Sequence, residues 1–236
     1  MMNDENVILE IRNLEKTYVT EGEKLSVLKG LDLFMKEGQR VSIIGESGNG
    51  KSTLLNIAGG IDTATSGFVR AGKYILTDLS EDELTEFRSE FTGLIFQFHY
   101  LLKDFTALEN IFLPAFMAGV PKKEAMERAE KLIADVGLSA RKNHLPSQLS
   151  GGERQRIAVA RSLVNEPRLI LADEPTGNLD PANAEMIGDL LFSMAGSYGK
   201  SLLLVTHDMN LASQAEVCYR MKDGKLVLQD GCGNES

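Results

Sequence analysis

The stretch GESGNGKST, Gly45–Thr53, matches the pattern G-x-x-x-x-G-K-[ST] and lies between the apolar run VSII and the helix-like segment TLLNIAGG. Its glycines allow the positive-φ backbone and close approach that let successive N–H groups surround a polyphosphate. Lys51 would place a charge on the β and γ phosphates, and Ser52 would offer a hydroxyl to Mg²⁺. The order of strand, loop and helix therefore predicts a phosphate-binding P-loop rather than a glycine turn that only caps a helix.

Short apolar runs elsewhere in the chain predict the sheet that carries this loop. VSIIG, LILAD and LLLVT are apolar on both faces, as expected of parallel strands buried between helix layers. Val7–Tyr18 and Leu25–Met35 are rich in β-branched and large apolar residues, and they predict an antiparallel pair. The segment Ser80–Ala140 predicts a mostly helical insert, with a capping box at Ser80 and Glu83.

The segment LILADE, Leu169–Glu174, places two carboxylates at the end of a predicted buried strand. Ligands of doubly wound sheets lie beyond the carboxyl ends of the strands, so Asp173 would face the P-loop and hold Mg²⁺ directly or through water. Glu174 would then be free to act as the base for an attacking water. The alternative is an acidic loop that merely ends a strand, which the presence of a P-loop disfavours.

The segment LSGGERQR, Leu149–Arg156, opens another predicted helix. Ser150 and Glu153 form an S-x-x-E capping box there. Two consecutive glycines in the first turn destabilise a helix by roughly 1 kcal/mol each relative to alanine, and a cap alone would not require them. We therefore expect a close approach to this backbone, and the helix N-terminus predicts a second phosphate site.

The order of these motifs, followed by His207 after the run LLLVT, resembles the ATP-binding cassette (ABC) family of transporter ATPases over nearly the whole chain. The resemblance implies a head-to-tail homodimer in which ATP lies between the P-loop of one chain and the LSGGE signature of the other. It implies that Tyr18 stacks on adenine, against the alternative of a tyrosine packed on the core. It also implies that His207 contacts the γ-phosphate, against the alternative of a cap for the helix from Asp208, and that Asp180 couples the two sites.

The resemblance further implies the cofactors ATP and Mg²⁺ and a role for each motif residue. The expected catalytic residues are Glu174, His207 and Gln97, and the expected metal ligands are Ser52, Gln97 and Asp173. The expected ATP-binding residues are Tyr18, Gly45, Glu46, Ser47, Gly48, Asn49, Gly50, Lys51, Ser52 and Thr53. The expected signature residues, which would contact the ATP of the partner protomer, are Ser150, Gly151, Gly152 and Glu153.

The fold implied by the resemblance is an α/β P-loop NTPase with a mostly parallel sheet core, an antiparallel β subdomain and a helical subdomain insert. We expect a single ABC ATPase domain over residues 1–236, with the helical subdomain at about residues 98–165.

Three segments, FQFHYLLKDFTALEN, NHLPSQLSGGERQR and LADEPTGNLD, resemble most closely the ATPases of lipoprotein-releasing systems. That resemblance implies integral membrane subunits as partners, a peripheral location at the cytoplasmic face of the bacterial inner membrane, and extraction of lipoproteins toward the outer membrane. Macrolide-exporter and cell-division ATPases share much of the sequence of these segments and remain alternatives.

The stretch that follows Gln97 fits neither strict alternation nor a helical stripe. We expect Phe98, Tyr100, Leu101 and Leu102 to form an exposed apolar patch that contacts a membrane subunit. His99 has no Cys, His or paired carboxylate near it in the sequence, so we assign it to that contact surface rather than to a metal or catalytic site.

Composition and charge limit the other function classes. The net charge of −9 and the pI of about 5.0 disfavour nucleic acid as a partner. No signal peptide and no run near the ~18 apolar residues of a membrane span are recognisable in the sequence. Two further alternatives are a soluble ABC ATPase of DNA repair or translation, which usually carries a long coiled coil or two cassettes, and a scaffold subunit without turnover. The intact Glu174, His207 and LSGGE argue against the scaffold.

Overall fold

The first sheet is antiparallel and has four strands. The computed structural model describes residues 6–20 and 22–229, so the ends of the predicted 1–236 domain lie outside the described residues. Alternation along the second strand, in which Leu31, Leu33 and Met35 are buried and their neighbours face solvent, gives this sheet one apolar face. The strand order is β2-β1-β4-β5, and the strands are β1 (Val7–Thr20), β2 (Glu23–Lys36), β4 (Ser66–Ala71) and β5 (Tyr74–Ile75).

The second sheet has six strands in the order β10-β9-β3-β8-β7-β6. Five of them run parallel, and only β10 is antiparallel to its neighbour. The strands are β3 (Arg40–Ile44), β6 (Thr92–Phe96), β7 (Leu169–Asp173), β8 (Ser201–Val205), β9 (Val217–Lys222) and β10 (Lys225–Gln229). The mixed sheets confirm the predicted α/β class and the antiparallel opening pair.

Helices cover both faces of the parallel sheet. They are α1 (Lys51–Ala58), α2 (Glu81–Glu90), α3 (Ala107–Met117), α4 (Lys122–Asp135), α5 (Gly151–Leu163), α6 (Pro181–Ser197) and α7 (Met209–Ala212). Ile170 and Leu202 pack into one apolar core with α3 to α6, whereas Leu171 and Leu203 pack into the other with α1 and the antiparallel sheet. This two-sided burial explains why LILAD and LLLVT carry no polar alternation.

The predicted helical insert was wrong at one element. Thr92–Phe96, inside the segment Ser80–Ala140, is strand β6 and pairs parallel with β7 in the main sheet. The run TGLIF follows the charged helix α2 and has only five residues, a pattern too short to distinguish a strand from a helix segment. Helices α3, α4 and α5 contact one another, and the helical subdomain at 98–165 stays a prediction.

The parallel strands place chemically active residues along one edge of the sheet. Strands β3, β6, β7 and β8 all end on the same side, because parallel strands share their direction. The P-loop follows β3, Gln97 follows β6, Glu174 follows β7 and His207 lies just beyond β8. None of the helices in the described residues is long and apolar enough to cross a membrane.

Candidate active site

The P-loop turns sharply from β3 into α1. Gly50 is the N-cap residue of α1 and has a φ of 96°. A Cβ atom at Gly50 would lie 2.7 Å from Cγ1 of Val27 on β2, so both the positive φ and the contact with β2 require glycine. The loop is thereby fixed between the two sheets, with the N-terminus of α1 directed at its interior.

Lys51 lies inside the loop that precedes it. Its side chain is buried, and its Nζ donates hydrogen bonds to the carbonyls of Gly45, at 2.7 Å, and Glu46, at 2.9 Å. These two bonds hold the ammonium group in the concavity formed by the loop. A cation in this place, next to a helix N-terminus, makes the loop a site for an anion.

Ser52 and Asp173 provide adjacent oxygen atoms next to the loop. The Ser52 hydroxyl donates a hydrogen bond of 3.0 Å to Oδ1 of Asp173. Burial raises the pKa of Asp173, the nearby Glu174 carboxylate raises it further, and the Ser52 hydrogen bond and Lys51 oppose the shift. Two hard oxygen ligands at a phosphate site fit Mg²⁺, which binds through one or two side chains plus substrate phosphates. The described residues contain no cluster of three or more His, Cys, Asp or Glu that could hold a metal alone.

Glu174 and His207 form a pair at the edge of the sheet. Oε2 of Glu174 lies 2.8 Å from Nδ1 of His207 and 3.3 Å from the backbone nitrogen of His207. The side chain of Glu174 is 16% exposed, whereas that of His207 is 68% exposed. Glu174 has a φ of 46°, and its backbone N–H donates to the carbonyl of Val205 at 2.9 Å. The left-handed backbone at a non-glycine residue is a strained conformation of the kind that is held at functional sites.

Gln97 is held by a residue that the sequence interpretation missed. Its Nε2 donates to Oδ1 of Asn178 at 3.1 Å, and Nδ2 of Asn178 donates back to the Gln97 carbonyl at 3.2 Å. Asn178 lies in the segment GNLD, two residues before Asp180. Its position within that motif was the only sequence signal, because its partner is 81 residues away.

One cavity collects most of the predicted ATP-binding and catalytic side chains. It has a volume of about 750 Å³, which lies in the range of small-molecule sites. Its walls include two apolar residues of β2, Leu25 and Val27, that the sequence interpretation did not single out. The lining residues are Tyr18, Leu25, Val27, Ser47, Gly48, Gly50, Lys51, Ser52, Thr53, Gln97, Glu174 and His207.

The signature residues do not line this cavity. Ser150 is the N-cap of α5 and forms a complete capping box with Glu153. A Cβ atom at Gly152 would lie 2.6 Å from Oδ1 of Asn183. This contact within the chain by itself accounts for glycine at the second signature position. Asp180, the N-cap of α6, accepts a hydrogen bond of 2.6 Å from the Asn183 side chain. Asp180 also lies outside the cavity walls.

The segment after Gln97 is exposed in part. Phe98, Tyr100 and Leu102 are 59%, 66% and 48% exposed, as expected for an apolar contact patch. Leu101 is partly buried against the apolar core that contains α3 to α5, so the expectation of exposure was wrong for this residue. The backbone of a short loop directs neighbouring side chains to different sides, which the composition of the stretch did not reveal.

Helix α5 holds this segment through its backbone. Nη2 of Arg161 donates to the carbonyl of His99 at 2.7 Å, and Nη1 donates to the carbonyl of Tyr100 at 2.8 Å. Tyr100 has a φ of 46°. Burial and the nearby Arg154 lower the pKa of His99, which is thus kept neutral beside α5. The sequence interpretation missed Arg161, whose spacing is that of an ordinary helix residue.

Comparisons with known proteins agree with the geometry. The ABC transporter family profile matches residues 28–177, which is more than half of the chain. The chain is 58% identical to the lipoprotein-releasing system ATP-binding protein LolD of Treponema denticola, over 93% of this chain and 97% of that protein. It is 49% identical to LolD of Treponema pallidum, over 96% and 99% of the two chains.

A solved structure is also similar throughout. The dimeric post-hydrolysis state of the ATP-binding cassette MJ0796, bound to ADP and Pi, superposes with a TM-score of 0.87 at 39% identity. The match covers 96% of this chain and 100% of that one. With its P-loop, its paired Glu174 and His207 and these relatives, the chain belongs to the ABC transporter family and is an ATPase of that family.

Proposed function

We propose that this chain is the ATP-hydrolysing subunit of a bacterial inner-membrane complex that releases lipoproteins toward the outer membrane. The relatives named above are ATP-binding proteins of lipoprotein-releasing systems, and they match almost the full chain. The observation that carries the catalytic part is the meeting of Lys51, Glu174 and His207 at one cavity. The protein would lie at the cytoplasmic face of the membrane and would be attached through its partners.

Phosphoryl transfer needs mainly positioning and charge stabilisation, and the site supplies both. Lys51 and the N–H groups of the loop would bind the phosphates, with Tyr18 under the adenine. Ser52, Asp173 and Gln97 would hold Mg²⁺, which supplies neutralisation of the phosphate charge. Glu174 would accept the proton of the attacking water, and His207 would fix the Glu174 carboxylate and reach the γ-phosphate.

The remaining motif residues support a homodimer. The signature residues at the start of α5 lie outside the cavity of their own chain, and helix N-termini bind phosphates well. We propose that Ser150–Glu153 contact the ATP held by the second protomer and that Asp180 couples the two sites. The dimeric structure of MJ0796, bound to ADP and Pi, supports the dimer.

Membrane subunits would contact the exposed side chains that follow Gln97. These side chains, Phe98, Tyr100 and Leu102, follow Gln97, which we propose contacts the nucleotide. Arg161 of α5 holds their loop through hydrogen bonds to backbone carbonyls. Movement of Gln97 on loss of the γ-phosphate would therefore be passed to the membrane partner.

The test is recovery and turnover of the complex. We expect a tagged chain, extracted in mild detergent, to retain membrane subunits with few spans and a large periplasmic domain. In proteoliposomes the complex should release a triacylated lipoprotein to an acceptor only with MgATP. Lys51→Ala, which removes the phosphate-binding charge, is the control and should release none. Recovery of a drug-exporter or cell-division partner instead, or release that ignores ATP, would contradict the assignment.

A further inference from the structure

Tyr18 is fixed by two charged residues that lie outside the P-loop. Its hydroxyl donates a hydrogen bond of 2.6 Å to Oδ2 of Asp62, in the loop after α1. The other oxygen of the same carboxylate, Oδ1, accepts a hydrogen bond of 2.6 Å from Nζ of Lys16. The ring is thus attached at its tip, through Asp62, to the loop that follows α1.

Lys16 also lies against the ring itself. Its Nζ is 4.7 Å from the centroid of Tyr18, within the range of a cation–π contact. Lys16 is only 8% exposed, and its ammonium group donates a further hydrogen bond of 2.6 Å to the carbonyl of Thr63. Burial alone would raise the pKa of Asp62, but the hydrogen bonds from Lys16 and Tyr18 lower it below its ordinary value, so the carboxylate stays charged.

The two faces of the Tyr18 ring have different surroundings. Tyr18 lines the ATP cavity, whereas neither Lys16 nor Asp62 is among the cavity-lining residues. The Lys16 ammonium therefore lies over the ring from outside the cavity, which leaves the ring surface on the cavity side for stacking. Two contacts, the Asp62 hydrogen bond and the Lys16 ammonium at the ring, restrict the rotation of a side chain that is itself 38% exposed before any ligand arrives. Such restriction favours binding because less conformational entropy is lost.

We propose that Asp62 and Lys16 are positioning residues for ATP, holding the Tyr18 ring so that its open face receives the adenine. This inference rests on the proposed ATPase function and adds two residues that touch the nucleotide only through Tyr18. It accounts for the ion pair between the buried Lys16 and the partly exposed Asp62, which none of the phosphate-binding or catalytic steps uses. It also explains why the base-binding side chain is a tyrosine, since phenylalanine would lack the hydroxyl that Asp62 holds.

The test compares two probes on the purified full-length chain. The non-hydrolysable analogue adenylyl imidodiphosphate carries a base, whereas inorganic triphosphate carries only the phosphates; both are titrated with Mg²⁺ by calorimetry. Tyr18→Ala should weaken binding of the analogue about 5- to 100-fold, as base–aromatic stacking does, and leave triphosphate unchanged. Asp62→Asn and Lys16→Met should each weaken the analogue about three- to tenfold with triphosphate again unchanged. Tyr18→Phe, which removes only the hydroxyl, should resemble Asp62→Asn.

The chain offers a matched control outside the lining of the cavity. There Tyr198 donates a hydrogen bond to Asp135, and Lys131 lies 5.1 Å from the Tyr198 ring centroid. Asp135→Asn should leave the affinities of both probes unchanged. In a Tyr18→Ala background, Asp62→Asn should have no further effect on the analogue.

If Tyr18→Ala weakens the analogue but Asp62→Asn and Tyr18→Phe do not, the positioning role is overturned and the proposed function stands. If Asp62→Asn weakens both probes equally, its role is only structural and the inference is also overturned. If Tyr18→Ala itself has no effect, the adenine platform in the proposed function fails as well.

Discussion

The negative charge of Asp173 opposes the stability of the folded chain. Burial and the Glu174 carboxylate raise its pKa, because both disfavour the charged form. A carboxyl group with a higher pKa in the folded than in the unfolded chain binds protons more tightly when folded. Stability therefore falls as pH rises through these pKa values. The charge is retained, we infer, because Mg²⁺ requires it.

Asp173→Asn should consequently stabilise the nucleotide-free chain at pH 7.5. We expect a rise in Tm of roughly 1 to 4 °C, since about 1 kcal/mol corresponds to ~2–4 °C in a domain of this size. The amide oxygen can still accept the Ser52 hydrogen bond. Thermal unfolding followed by circular dichroism would measure the difference, which should narrow as the pH is lowered and Asp173 becomes protonated in the native chain.

The matched control is Asp78→Asn at an exposed carboxylate, which should leave the Tm unchanged. A lower Tm for Asp173→Asn at pH 7.5 would mean that the charge of Asp173 stabilises the apo chain. That result would contradict the stated balance between burial and hydrogen bonding.

The positions of single residues were predictable from the sequence where the local backbone of a motif determines them. Lys51 and Ser52 are consecutive residues at the end of a loop that follows a strand. The path of that loop therefore determines where their side chains lie. Asn178 and Asp62 were missed because their partners, Gln97 and Tyr18, are 81 and 44 residues away. Ordinary polar residues that act through a distant partner leave no pattern in the chain.

At the scale of elements, α5 joins two surfaces that the sequence presents as separate. Its first residues carry the signature, and Arg161 near its end holds the carbonyls of His99 and Tyr100. Nε2 of Gln155, on the same helix, donates to the carbonyl of Phe96 at 3.3 Å. Two side chains of one helix therefore hold the segment on either side of Gln97. We infer that α5 and this segment move together.

The contact patch can be tested without disturbing that attachment. Phe98→Ser with Leu102→Ser removes two exposed side chains, so the free energy of unfolding should change by less than about 1 kcal/mol. Basal ATPase activity of the chain should be retained, whereas recovery of membrane subunits in detergent should fall at least about tenfold, as for loss of interface hot spots.

Leu228→Ser, at a side chain that is 58% exposed on β10, is the control and should leave recovery unchanged. Leu101 is left intact because it packs against the core. Full recovery of the complex by the double variant would show that the partner binds elsewhere.

Elements were predictable in proportion to the length and regularity of their pattern. The capping boxes at Ser80 and Ser150 appear in the structure where the sequence predicts them, because a cap is local chemistry. Strand β6 was missed, since its pattern of five residues is too short to identify a strand, and it is pairing with β7 that defines it. Tertiary pairing of this kind overrides the structural preference of the local sequence.

At the scale of the whole molecule, one geometric rule organises the site. Parallel strands end together, so residues following β3, β6, β7 and β8 meet although up to 160 or so positions separate them in the sequence. The rule was available from the apolar runs alone. The division of labour between the two protomers was not, because a single chain shows only that the signature lies outside its own cavity.

The central claim is that Glu174, held by His207, is the base for ATP hydrolysis in the assembled complex. The most direct measurement is phosphate release from MgATP by the purified membrane complex with Glu174→Gln, beside the wild type and the exposed control Glu185→Gln. We predict that Glu174→Gln lowers the rate about 10²- to 10⁴-fold while ATP stays bound in a closed dimer, and that Glu185→Gln keeps the wild-type rate. Release at the wild-type rate by Glu174→Gln would contradict the account.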